Sequence, residues 1–129
     1  MNSALVQIFS FSIGIGALIG LVRYRTISRA YLPFLLLLWV GLLNEICSVI
    51  IINKGFSNAI NNNIYVLLES FLILWGFKNW GLFKDNRKLF VAILFMYAVA
   101  WIAVNFLFFS IKTFSSYFNI LYSLTTVLI

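Results

Sequence analysis

LLLLWVGLLNEICSVIII, residues 35–52, decides how the rest of the chain is read. As a helix it would rise about 27 Å. That nearly matches a hydrocarbon core of about 30 Å, which takes about 20 apolar residues to cross. In lipid the backbone must satisfy its own hydrogen bonds, so such a stretch is expected to be helical. One residue in it does not belong to an apolar solvent: Glu45.

Outward from this segment the chain stays apolar. Of its 129 residues 64% are hydrophobic and 9% charged, against about half apolar in a soluble domain. The pattern predicts an all-α, polytopic transmembrane helix bundle forming a single domain over residues 1–129. Four full spans fall at about 4–22, 30–53, 63–83 and 89–110, and a partial fifth at 117–129. Thirteen helical residues rise only about 20 Å, so the last stretch reads as the start of a span and the chain as the front part of something longer. The first span follows Met-Asn-Ser without a basic leader, and GLVRYR offers no small-residue cleavage site, so it reads as retained.

The net charge of +6 sits in short connections between apolar segments, not along a solvated face, and no nucleic-acid partner is expected. Arg23, Arg25 and Arg29 occupy the first connection and Lys84, Arg87 and Lys88 the third, with Lys78 able to snorkel toward them. Lys54 and Lys112 stand alone in the second and fourth. Basic short loops favour the cytoplasm, which predicts an N-terminus outside. Trp80, Tyr24 and Tyr31 fall where interfacial aromatics are expected. Pro33 lies in the first turns of the second span, where a missing amide costs little.

Charges buried in a span are rare and usually face the bundle interior or a cavity. Glu45 and Glu69 are two such residues. With the second span running outward and the third inward, they lie about 12 Å and about 9 Å from the outer side, in nearly one layer, which Asn105 shares. Residues three, four and seven apart share a helix face. Gly41, Asn44, Glu45 and Ser48 therefore form one stripe, Asn62, Tyr65, Glu69 and Gly76 a second, and Tyr97, Trp101 and Asn105 a third. Asn119, Ser123 and Thr126 line up in the last segment, as do Gln7, Ser10 and Gly14 in the first.

The expectation is an outward-facing polar cavity around Glu45 and Glu69, with Asn44, Tyr65, Asn105 and Trp101 in its lining. No basic side chain shares that layer. Two ionised carboxylates close together at low dielectric repel, so one should hold a proton or meet a cation. A proton, a metal cation or a small amine fits, with aromatic faces to assist a cation. The competing view is that the amides and hydroxyls only join helices, since such bonds are commonly worth about 0.6 kcal/mol.

Catalysis is not expected. There is no histidine, the common general base and metal ligand, and Cys47, the single cysteine, excludes a disulfide, zinc-ligand spacing or a haem motif. No cofactor is implied. Gly16 and Gly20 have the small-xxx-small spacing of closely packed spans, read here as packing within the chain, with a homo-oligomer face as the alternative. RYRTISR could meet anionic lipid headgroups but is accounted for by orientation alone.

The tyrosine flanked by arginines in GLVRYRTISRAYLPFLL, the acid of the second span, the Asn62, Tyr65, Glu69 pattern opening the third, and FNILYSLTTVLI resemble a group of uncharacterised bacterial multi-span proteins with six or seven spans. The resemblance implies an N-out helical bundle and a longer chain, and no activity. By fold analogy the plan also looks like the membrane input modules of signalling proteins. The leading expectation is a non-enzymatic membrane sensor or interaction module, embedded in the lipid bilayer and read by a membrane or signalling partner. The alternative is a small proton- or cation-coupled transporter, although Leu35 to Leu38 and Ile93 to Phe95 offer no inward polar path.

Overall fold

In the computed structural model, residues 3–113 and 116–129 are described, except for the side chains of residues 3, 6, 7 and 9–11. The expected polar face of Gln7 and Ser10 therefore lies outside the described residues. The described chain is all-helical, with five α-helices: α1 Ser3–Arg23, α2 Leu32–Asn53, α3 Ala59–Asn79, α4 Arg87–Ile102 and α5 Tyr117–Leu128. A single 3-10 turn, Arg29–Tyr31, leads into α2, and a π-helical turn, Ala103–Phe108, prolongs α4. Helix α3 begins and ends four residues before the segment expected at 63–83. The helix takes in Asn61 and Asn62, which look like a loop on hydropathy: Asn61 bonds to Asn44 and Ser48 of α2 and Asn62 accepts from Asn58 at the helix start.

The helix ends follow from local chemistry. Helices α2 and α3 stop in the same way, at Asn53-Lys54-Gly55 and Asn79-Trp80-Gly81. Gly55 has φ +78 and Gly81 φ +87, the left-handed conformation that glycine adopts without a Cβ penalty. The amide of Phe56 then returns to the Ile51 carbonyl at 3.1 Å, and that of Leu82 to Phe77 at 3.2 Å, the paired closure of a Schellman cap. Helix α4 starts at Asn86, whose side chain accepts from the Leu89 amide at 3.1 Å. Pro33 occupies the start of α2, where its missing amide leaves no orphan bond.

Consecutive helices pack side by side with alternating direction. Gly14, Gly16 and Gly20 of α1 face Leu42, Leu38 and Leu35 of α2 in descending order, the register of an antiparallel pair. A Cβ at Gly20 would overlap Leu35 Cδ1, so the missing side chain makes room for Leu35 against α1. Gly76, late in α3, rests on Pro33 and Phe34 at the start of α2. Trp80 stacks on Phe34 with centroids 5.3 Å apart and meets Tyr31 edge-on at 6.1 Å. The core lies among α3, α4 and α5, where Val66, Leu74, Phe83, Ile93, Tyr97 and Phe118 are buried together.

The outward faces are apolar. Val22, Phe95, Leu107 and Val127 are each more than 70% exposed. Two helical stretches, residues 29–53 and 87–108, are long and apolar enough to cross a membrane.

Candidate functional site

Glu69 lies in the middle of α3, half-buried, on the same side as Tyr65 one turn earlier. The hydroxyl of Tyr122, on α5, donates to Glu69 Oε2 at 2.8 Å. The Tyr65 phenol also interacts with Glu69, and it lies in the electrostatic field of Glu45 from α2. Its oxygen rests over Gly41, 3.6 Å from where a Cβ would sit, one turn from Glu45. Tyr65 thus lies near both acids. Tyr97, from α4, completes the cluster through a hydroxyl 3.5 Å from the Tyr122 carbonyl.

The pairing of two phenols, Tyr122 and Tyr65, with one carboxylate has a plain electrostatic logic. A phenol donates a hydrogen bond to an ionised carboxylate without bringing a compensating charge, and bonds to charged acceptors are the stronger ones. Glu69 is therefore solvated by neutral donors from α3 and α5. An ionised Glu69 in this setting would favour a cation or a proton over an anion.

A second polar group joins α2 to α3. Asn61 Nδ2 donates to Asn44 Oδ1 at 2.8 Å and to Ser48 Oγ at 3.2 Å. Asn58 Nδ2 donates to Ser48 Oγ at 2.7 Å and to Asn62 Oδ1 at 3.2 Å. Asn44 is thereby committed to helix pairing. It also lines a cavity of about 200 Å³ with Tyr65, Asn61, Cys47 and apolar neighbours. That is below the roughly 300 Å³ of a typical drug-sized pocket, a volume for a small amine or a few waters. Neither glutamate is among its lining residues.

Trp101 and Asn105 form a third group, around buried Asn63. Trp101 Nε1 donates to the Asn63 carbonyl at 2.8 Å, and the Asn63 amide donates to the carbonyls of Ile111 and Thr113, each at 3.0 Å. Asn105, only 3% exposed, donates to the Trp101 carbonyl at 2.9 Å, while its Oδ1 is a buried acceptor without a hydrogen-bond partner among the described residues. It sits in the π turn, a local widening that is frequent at functional sites.

The six sequence-derived residues therefore fall into three neighbouring groups: Glu45, Tyr65 and Glu69; Asn44 with the asparagines of α3; and Trp101 with Asn105. Sequence reasoning missed Tyr122, Asn61 and Asn63, and placed Tyr97 on the stripe with Trp101 and Asn105 without assigning it to the site. In α5 the core-facing residues are Phe118, Leu121 and Tyr122; of the aligned polar residues Asn119 and Thr126 are half-buried beside them and Ser123 is exposed. Burying Phe118 and the Tyr122 ring removes more apolar surface than burying Ser123, and that difference sets the rotation of the helix. The available signal was the spacing of Phe118, Tyr122 and Thr125 on one face. Among the described residues no group of three or more His, Cys, Asp or Glu is placed to hold a metal ion.

Comparison with known protein families, with curated proteins and with solved structures finds no match.

Proposed function

We propose that this chain is a multi-span protein of the bacterial cytoplasmic membrane that senses a proton, cation or small amine at Glu69 without catalysing a reaction. The membrane reading is supported by how little of the two longest apolar stretches is covered. Only 11% and 17% of their most apolar windows is buried, whereas the core helix of a soluble protein is covered on most sides. Apolar faces this extensive need a nonaqueous solvent or a partner. Four spans followed by the shorter apolar helix α5, with the N-terminus outside, are the topology we infer from hydropathy and the placement of basic residues.

The observation that carries the sensing role is the 2.8 Å bond from Tyr122 to Glu69. It joins α5 to α3 through a single ionisable acceptor. A proton or cation arriving at Glu69 competes with Tyr122 for the same oxygen, so occupancy of the site and attachment of α5 are linked. Glu45, across Tyr65, adds negative potential that favours a cation. The change in α5 packing would be read by a partner membrane or signalling protein, or by another copy of the chain.

The test is thermal unfolding of the full chain in neutral detergent with increasing methylammonium or potassium, the ionic strength held constant with sodium. The parent midpoint should shift with one of the two cations and the Glu69→Gln midpoint should not. Equal responses would remove Glu69 from the site. The transporter alternative predicts in addition that methylammonium is taken up by liposomes containing the parent and not by those containing Glu69→Gln.

A further inference from the structure

Seven of the nine basic residues, Arg23, Arg25, Arg29, Lys78, Lys84, Arg87 and Lys88, fall at the end of the bundle where α1 and α3 finish and α2 and α4 begin. The single acid at that end is Asp85. Lys78 is turned onto the inner side of α4, its Nζ 4.8 Å above the Phe90 ring. Arg87 and Lys88 are on the other side. They head a shallow groove that continues along Val91, Ala92 and Phe95.

All five groove residues are exposed. Val91 is 55% and Phe95 71% uncovered, while Ile93 and Tyr97 on the opposite face enter the core. From Arg87 to Phe95 the groove runs about 12 Å along the helix axis. Positive charge occupies one end only, and everything beyond it is apolar. The last turns of α1 repeat the arrangement at the same end of the bundle, where Leu18, Ile19 and Val22 lead to Arg23.

We propose that the outer face of α4 binds an anionic phospholipid, with its phosphate held by Arg87 and Lys88 and an acyl chain lying along Val91 and Phe95. The inference rests on the membrane reading above and is independent of Glu69. An amphiphile with an anionic head and an apolar tail matches both halves of the groove. A polyanion or an acidic peptide would pair with the charges and leave Val91 and Phe95 uncovered. Juxtamembrane basic residues attract anionic headgroups with about 1 kcal/mol each, so the two side chains together should favour an anionic over a zwitterionic lipid on the order of tenfold or more.

The experiment uses the full chain in neutral detergent, phosphatidylglycerol with a photoreactive group on an acyl chain, and the matching phosphatidylcholine, followed by peptide mapping. Phosphatidylglycerol should label residues 91–95 about tenfold more than phosphatidylcholine. R87Q/K88Q should lower that labelling about tenfold, R87K/K88R should retain it, and inorganic phosphate at equal concentration should not compete. Equal labelling by the two lipids, or undiminished labelling of R87Q/K88Q, overturns the lipid site alone. Competition by inorganic phosphate would show a bare anion site and also overturn it. If neither lipid labels any helix, the membrane reading falls with it.

Discussion

At Glu69 the acceptor oxygen is met by a phenol from a helix fifty residues further along the chain, and the energetic weight of that bond can be isolated. A hydrogen bond to an ionised group is worth about 1.5–3 kcal/mol in soluble proteins, whereas bonds between membrane helices average about 0.6. Tyr122→Phe is therefore expected to destabilise the bundle by about 1 kcal/mol. In a Glu69→Gln background the same change should cost less than half as much, and a double-mutant cycle in detergent unfolding measures the difference. Equal costs in both backgrounds would mean that the two side chains are neighbours without coupling. Glu69 was legible in the sequence because an acid between Leu68 and Ser70 in an apolar helix has few inexpensive places to go. Tyr122 was not. A tyrosine serves equally as core, interfacial ring or donor, and only the packed position of α5 distinguishes these uses.

Among the elements, the segment after α4 owes its position to one side chain. Asn63 is 4% exposed and satisfies the carbonyls of Ile111 and Thr113 through its amide. Removing a buried partner leaves those groups at a cost of about 1–3 kcal/mol, so Asn63→Ala should destabilise by about 2 kcal/mol. Proteolysis should rise first near residues 110–113, and cleavage mapping by mass spectrometry would show it. The close approach of α1 and α2 gives a second check. At Gly20, alanine would oblige only the tip of Leu35 to move, but Gly20→Leu must separate the helices, with an expected cost of about 1–3 kcal/mol. Thermal unfolding of the two variants measures it, and equal midpoints would move the α1–α2 contact away from Gly20. The helical identity of these elements could be read from hydropathy alone. Their ends could not, because Asn61 to Asn63 look like loop residues until Asn44, Ser48 and the segment at 111–113 are there to pair with them. The π turn carried no sequence signal, since AVNFLF has nothing that an α-helix excludes.

Across the whole molecule the charge is polarised, and that polarity gives a topology that labelling can decide. In a Cys47→Ser background, Lys54→Cys and Lys112→Cys should react with a membrane-impermeant thiol reagent in intact cells. Arg25→Cys and Lys84→Cys should react only after permeabilisation. The opposite pattern would invert the orientation and place the phenol cluster nearer the cytoplasm. This global asymmetry was fully legible, because it depends on where arginine and lysine fall between apolar runs and not on packing detail. The paired caps at Gly55 and Gly81 and the asparagine bonds between α2 and α3 have one further consequence, for the order of assembly. Contacts between neighbours in sequence close cheaply, while those across long separations wait for the chain to be confined. The α2–α3 hairpin, closed by residues 54–58 and joined by Asn44, Ser48, Asn58 and Asn61, can therefore form soon after α3 is made. Tyr122 reaches Glu69 last. Until it does, Tyr65 is the phenol already beside the acid, so during biosynthesis a local chaperoning contact shields the carboxylate before the distant one joins it.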